Sequence, residues 1–410
     1  MITLKEALLN WLDRSDKLTD EECDVKTKVD VNGKYIRTPY KLCEEIIYQI
    51  STDRNWWADQ KILVVDTIED IPVLLTVGAK SCNITYIAPY VFKSKFVSRI
   101  GCKVIQENFL TWKKDMHFDV IIGNPPYQSS REGTTASEDL ASKFVHKNIS
   151  LDSNYLALII PSDWAGPNNS KLKNTLFNSN KLSKLCLYGD KWFNVAKNTC
   201  CIFYNKLNTN YTEIIDIHGS SLKIPLKNVN SISLENKLTS FLLRFKGHSS
   251  YLDSRWTHGN LYLNKLNSIV GNDLEFIQAV GRKNEPLSTT MIKAGIESTG
   301  FGKSKIVLPT VGDAGKIGQI KIATKSQVGG HSVVFLITDN DIESQNLKSY
   351  LETKVVKLLI KSVKKSTPNS KGTFSCIPNV DLSCNWTDEK LYKYFGLTQD
   401  EINYIEEIIK

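Results

Sequence analysis

From Ile36 to about Asn205 short apolar runs alternate with helical patterns, and this alternation restricts the region to an α/β fold with a parallel, doubly wound sheet. Tyr40–Ile50 has helical spacing, KILVVD (Lys61–Asp66) reads as a buried strand and Val73–Ala79 as a helix. Ser81–Ala88 and Cys102–Phe109 read as strands separated by a helix over Phe92–Ile100. FDVIIGN (Phe118–Asn124) is a strand that ends in a loop. A helix around Leu140–Ile149, the strand Tyr155–Pro161, a helix around Leu172–Phe177 and strands near Lys184–Tyr188 and Thr199–Asn205 complete the pattern. Beyond Asn205 turn signals such as STGFGK, VGDAGK and VGGHS become frequent, and the last forty or so residues return to helix around a break at Gly396. The boundary is expected near residue 210, which gives domains 1–210 and 211–410.

A chain of 410 residues has room for both, and 41% apolar with 23% charged residues is an ordinary globular balance. That composition excludes a disordered tail, a collagen-like chain and a small disulfide scaffold. Nine cysteines without a CxxC pair, and six scattered histidines, point to reduced thiols and to no metal site. With no apolar run long enough to span a membrane and no signal layout at the N-terminus, a cytoplasmic protein is expected. The net charge of +8 suits a polyanion, although a lysine-rich composition reads equally as the product of an AT-rich genome.

The residues that carry chemistry are Asn124-Pro125-Pro126-Tyr127, directly after the apolar strand. In parallel sheets ligands bind at the carboxyl ends of the strands. Pro125 and Pro126 have no N–H, so the loop offers carbonyls to a cleft; Asn124 adds a side-chain acceptor and Tyr127 an aromatic face. Two acceptors and a ring match a planar group bearing an NH₂. They hold its two hydrogens while the nitrogen lone pair points at an electrophile. A proline-rich turn that merely ends a strand is the plain alternative.

GNPPY after an apolar strand resembles motif IV of the S-adenosylmethionine-dependent amino methyltransferases, above all the DNA adenine-N6 enzymes. The resemblance implies a Rossmann-like class I methyltransferase sheet followed by a mixed α+β DNA-recognition domain. It implies that Asn124 and Pro125 hold the target amine, with Pro126 in the same loop, and that Tyr127 stacks on a flipped adenine through its ring, not its hydroxyl. Tyr35-Ile36-Arg37-Thr38-Pro39 is similar to motif X, with Thr38 and Pro39 near the methionine end of the cofactor. YLALIIPSDW (Tyr155–Trp164) resembles motif VI, and Lys191–Lys206 resembles motif VIII, where Phe193 would be the second wall of the base pocket. The order of these motifs is that of the gamma-type enzymes of restriction-modification systems. The likeness covers about residues 30–206 and implies double-stranded DNA as partner, a restriction or accessory subunit beside it, and a phage or bacterial host.

The cofactor half of the pattern departs from the family. Asp66 ends the first strand, but Thr67–Pro72 contains no glycine, and Ile68, Glu69 and Ile71 stand where the family has a glycine-rich turn. The second strand ends in Ala88-Pro89 with no acid for a ribose, and Asn108 replaces the acid expected near the adenine. Asp66 and Asn108, with Thr38 and Pro39, are the remaining cofactor contacts. Two readings follow: a methyltransferase with a rearranged cofactor loop, or an inactive DNA-binding subunit or decoy on the same scaffold. Methylation of protein glutamine or of guanine amines in RNA would use the same loop, but the long C-terminal region and the charge favour DNA. In that region Lys303, Lys305, Lys316, Lys321, Trp256 and Phe301 are candidate phosphate and base contacts, or equally a solvated lysine face and core aromatics.

Overall fold

The computed structural model describes residues 37–88, 94–113, 116–130, 137–167, 170–193, 198–208, 210–227, 229–259, 272–282, 284–294, 299–364 and 368–409. Tyr35, Ile36 and Pro89 of the sequence motifs lie outside them. The chain divides into two compact units.

The first unit is built on one sheet. Its elements are α1 (Tyr40–Ile50), α2 (Arg54–Asp59), β1 (Ile62–Val65), α3 (Asp70–Val77), β2 (Ile84–Ile87), α4 (Ser94–Arg99), β3 (Lys103–Ile105) and β4 (Val120–Gly123). A short hairpin, β5 (Gln128–Ser130) and β6 (Ser137–Asp139), then leads to α5 (Leu140–Ser150), β7 (Tyr155–Pro161), α6 (Lys171–Asn178), β8 (Leu182–Gly189), β9 (Thr199–Asn205), β10 (Thr212–Ile215) and β11 (Ser221–Ile224). The nine strands run in the order β11-β10-β8-β9-β7-β4-β1-β2-β3. β1 and β4 lie at the middle, are buried along their whole length, and are therefore continuous apolar runs instead of alternating ones.

This is the open, mostly parallel α/β sheet with helices between its strands that the sequence leads one to expect. Two strands depart from a purely parallel one: β9 inserts antiparallel between β7 and β8, and β11 pairs antiparallel with β10 at the edge. The sheet also runs past the expected boundary at 210, because β10 joins β8 in parallel and the compact unit continues to Lys227. β10 and β11 read Thr-Glu-Ile-Ile and Ser-Leu-Lys-Ile, and the charged residue in each keeps them from standing out as apolar runs in the sequence.

The second unit is mixed α+β. Its elements are α7 (Asn236–Arg244), β12 (Trp256–His258), β13 (Asn272–Ala279), β14 (Ser288–Ala294), β15 (Ser304–Pro309), β16 (Lys321–Ala323), β17 (Gln327–Gly329), β18 (Val333–Thr338), α8 (Asp341–Glu352), α9 (Lys354–Val363), α10 (Lys371–Phe374), α11 (Asp388–Tyr394) and α12 (Gln399–Ile408). A four-stranded antiparallel sheet, β12-β18-β15-β16, packs against helices through Leu336, Leu347, Tyr350, Leu359 and Phe374. Gly396, at φ +58°, separates α11 from α12, and Thr398 with Glu401 forms a reciprocal cap at the start of α12.

Lys305 corrects one expectation. It is not a surface cation for phosphates: it is fully buried on β15. Its ammonium donates to the carbonyls of Gly300 at 2.8 Å, Lys303 at 3.0 Å and Thr324 at 2.6 Å. Burial pushes its pKa down to about 8 from 10.5. Trp256 and Phe301 are also partly buried in packing, the indole of Trp256 donating to Asn369 and Phe301 lying against Leu274, Phe276 and Val328.

The unfolded chain keeps the Lys305 proton to higher pH than the folded one, so stability should rise with pH between about 8 and about 10.5. Lys305→Met should remove that component of the slope in denaturant titrations at several pH values. It should also lower stability at pH 7 by about 1–3 kcal/mol in all, since three carbonyls lose the ammonium donor while those of Gly300 and Thr324 keep backbone donors from Lys303 and Gln327.

Candidate functional site

The loops after β1 and β4 meet because those strands are neighbours, paired from Ile62 with Val120 to Val65 with Gly123. A Cβ at Gly123 would lie 2.5 Å from the Val65 carbonyl oxygen, so only glycine permits this approach. The next residue, Asn124, donates its backbone N–H to that same oxygen at 3.3 Å. Beyond it, Pro125 and Pro126 are buried, and the Tyr127 carbonyl accepts from the backbone N–H groups of Leu140 and Ala141 at the start of α5. The helix thus has two of its unpaired first-turn donors satisfied by the loop, and the loop is fixed at both ends.

The Asn124 side chain is only 1% exposed and is engaged at both ends. Its Nδ2 donates to Thr38 Oγ1 at 3.0 Å, and its Oδ1 accepts from the Tyr127 hydroxyl at 3.1 Å. Burial, reinforced by the nearby Cys200 and Cys201 thiols, pushes the Tyr127 phenol well above its usual range, so it keeps its proton and donates. The Tyr127 hydroxyl therefore has a task that the sequence reading gave only to its ring. A carbonyl oxygen has two lone pairs, so Oδ1 can take a second donor. Among the described residues no donor reaches the Pro125 carbonyl.

Thr38 precedes α1, whose first turn is closed by the Pro39 carbonyl accepting from Leu42 and Cys43. Its Oγ1 also lies 3.1 Å from Thr67 Oγ1, in the turn after β1. Thr67 in turn donates to Glu69 Oε2 at 3.4 Å. Thr67 and Glu69 are buried, and sequence reasoning treated this turn only as a missing glycine loop. The available signal was the hydroxyl and carboxylate placed two residues apart directly after the strand.

The other expected contacts are distributed differently. Asp66 ends β1 in the left-handed region at φ 56°, which Asp tolerates better than most residues, and its N–H donates to Ile87 at 3.1 Å. Asn108 stands in an exposed turn and its Oδ1 accepts from Leu110 N–H at 2.9 Å, so this carbonyl serves its own turn. Phe193 is buried in the core with Tyr188, Cys201 and Phe203, and Tyr127 packs against the same cluster. Among the described residues no hydrogen bond joins Asn108 to the Thr38–Asn124–Tyr127 group.

The implied cofactor can be tested on these residues. The glycine mode is not available, since Thr67, Ile68 and Glu69 fill the turn with buried side chains, and β2 ends in buried Ala88. The amino-acid end does fit. Glu69 Oε1 is a buried carboxylate oxygen with no hydrogen-bond partner among the described residues, and an ammonium group would satisfy it.

In the second unit a cleft of about 820 Å³ is lined by Asp313–Ile320, Leu351, Glu352, Ile360 and the end of α12, with Lys316, Lys357 and Lys361 as its cations. All three lysines are exposed. No helix among the described residues is long and apolar enough to cross a membrane.

Residues 68–193 match the model of the Eco57I restriction-modification methylase family. An "uncharacterized adenine-specific methylase" of Mycoplasma pneumoniae is 51% identical over 53 residues, which is 12% of this chain and 12% of that protein. Among solved structures, the type IIG restriction endonuclease BpuSI is 13% identical, with a TM-score of 0.45, over 94% of this chain and 62% of that one. The type IIL restriction-modification enzyme MmeI, solved in complex with DNA, is 8% identical, with a TM-score of 0.48, over 87% of this chain and 69% of that one. The chain thus spans about an eighth of the curated relative and under two thirds of BpuSI.

Gly123→Ala should collapse the site from the backbone outward, because neither β1 nor β4 can retreat from the middle of the sheet. A marked fall in thermal midpoint is the expected result, and an unchanged melting curve would mean that the two strands are not held this closely.

Proposed function

We propose that the chain is a DNA methyltransferase that transfers a methyl group from S-adenosylmethionine to the 6-amino group of a flipped adenine in double-stranded DNA. The observation that carries the reading is Asn124, a buried acceptor anchored at the carboxyl end of the central strand and oriented by partners on both sides. The family match over residues 68–193 and the adenine-specific relative support it.

Asn124 Oδ1 and the Pro125 carbonyl would each accept one hydrogen of the amine. Holding both hydrogens draws the nitrogen out of conjugation with the ring and directs its lone pair along one line. In a dry site such bonds are stronger than in water. Neither acceptor is a base, so both act by orientation and electrostatics; as the nitrogen–methyl bond formed the methyl–sulfur bond would break to leave the neutral thioether, and the extra proton on the nitrogen would pass to water. Tyr127 would place its ring on the base while its hydroxyl steadies Asn124, and Phe193 would support that wall from the core. When bound, S-adenosylmethionine supplies the electrophilic methyl. Glu69 and Asp66 would hold its ammonium end, Thr38 and Pro39 lie at the same end, and Asn108 would meet its adenine. The second unit would recognise the target, with Lys316, Lys357 and Lys361 on phosphates. The setting is a restriction-modification system in a bacterial or phage host, beside a restriction or accessory subunit.

A second reading, an inactive DNA-binding subunit or decoy, is favoured by the side-chain-filled turn after β1 and by Ala88 at the end of β2. Transfer of labelled methyl from S-adenosylmethionine to unmethylated DNA separates the two. Asn124→Ala should lower incorporation by roughly 10²-fold or more, the scale of losing one preorganised polar contact, while DNA affinity holds. Full activity in that variant would remove the loop from the mechanism, and no incorporation by the parent protein with DNA binding intact would establish the second reading.

DNA affinity should fall with salt along a log–log slope of about 0.9 per phosphate contacted. Replacing Lys316, Lys357 and Lys361 together by Gln should make that slope shallower, as filter binding across a salt series would show. An unchanged slope would take the cleft out of the DNA interface.

A further inference from the structure

We infer that Thr67 and Glu69, in the turn where the family pattern has glycines, are positioning residues that fix which end of the Asn124 amide faces the substrate. The inference rests on the proposed amine-binding role of Asn124 and deepens it.

A carboxylate can only accept, so the Thr67 hydroxyl hydrogen is committed to Glu69 Oε2 at 3.4 Å. Thr67 can then only accept from Thr38, whose own hydrogen must fill the 3.1 Å contact between the two hydroxyls. With that hydrogen spent, Thr38 Oγ1 can only accept from Asn124, which requires the NH₂ end of the amide at the 3.0 Å contact. The carbonyl end is thereby left for the Tyr127 hydroxyl at 3.1 Å and, through its second lone pair, for an incoming amine. Rotating the amide by half a turn would set its oxygen against Thr38, which has no hydrogen left to give. A rotated amide would also present two N–H groups to an amine that itself needs acceptors.

All four members of the chain are buried. Thr38, Thr67, Glu69 and Asn124 are each at most 5% exposed, so water does not compete for the same hydrogens. The direction is set at one end by Glu69 and passed to the reacting end through two hydroxyls. Thr67 touches neither amine nor methyl donor in this scheme and acts only through Thr38.

Thr67→Val keeps the shape of the side chain and removes the hydroxyl; Thr67→Ser restores it. Two readouts are compared. One is hydrogen exchange of the Asn124 side-chain NH₂ in the protein alone, with its resonances assigned against Asn124→Ala. The other is the single-turnover rate of methyl transfer at saturating S-adenosylmethionine and DNA. Thr67→Val should speed the exchange and slow the transfer, each by about tenfold, the worth of one hydrogen bond. Binding of DNA and of S-adenosylmethionine should stay as in the parent protein, and Thr67→Ser should recover both rates. Parent-like exchange and parent-like transfer in Thr67→Val would overturn the inference. If the parent protein transfers no methyl, the methyltransferase reading fails by itself. The exchange measurement then still decides whether Thr67 holds the amide, since it needs neither DNA nor cofactor.

Discussion

The close approach of β4 to β1 at Gly123 is the constraint on which the site depends. The Val65 carbonyl sits where any larger residue at 123 would put its Cβ, and it accepts the Asn124 N–H instead. Two consequences follow from one contact. The loop after β4 starts at a defined height above the sheet, and the loop after β1 starts beside it. Thr67 and Asn124 are 57 positions apart in the chain, yet both reach the same hydroxyl on Thr38. Two further hydrogen bonds, from the first residues of α5 to the Tyr127 carbonyl, close the other end of the loop. Side-chain orientation at Asn124 is therefore a property of the central strands and not of a free surface loop.

A buried polar group is costly unless it is paired, and this site contains several in a row. Each has a partner except one carboxylate oxygen of Glu69 and the Pro125 carbonyl, among the described residues. The distribution is informative. Groups whose orientation must be fixed are satisfied from within, and the remaining acceptors lie in the two loops that border the proposed amine and its methyl donor. Lys305 in the second unit shows the opposite solution: an ammonium satisfied by three carbonyls is spent on holding turns together and has nothing left for a ligand.

Much of this was legible in the sequence, for identifiable reasons. Tyr40–Ile50 and Thr199–Asn205 fall where the periodicity places them, and the buried central strands announce themselves as unbroken apolar runs. The antiparallel insertion of β9 was not legible, because strand direction leaves no trace in an apolar run. Nor were β10 and β11, whose four residues each take their definition from the strand beside them. In the site, Asn124 and Tyr127 stood out by residue type, and Thr38 by the likeness of its segment to motif X. Their hydrogen bonds did not, since the Tyr127 hydroxyl could be aimed only once the loop was closed on α5. The burial of Lys305 is not legible because it depends on three carbonyls from two turns, Gly300 and Lys303 in one and Thr324 in the other.

The turn after β1 is where sequence pattern and structure disagree most usefully. A glycine-rich turn works by absence: with no side chains, the backbone can lie against a ligand. Here side chains occupy that space, and the same exchange that removes a backbone surface installs a hydroxyl and a carboxylate next to Thr38. The turn is thus not a purely apolar filling, because the buried Thr67 and Glu69 stand in it beside the apolar Ile68 and Ile71. Two polar residues kept at 0% and 5% exposure need a reason to be polar, and their bonds lead in one direction, towards Asn124. Under the proposed amine-binding role an oriented amide accounts for that arrangement, whereas a scaffold that only had to fold would lose nothing, and would gain packing, by discarding it.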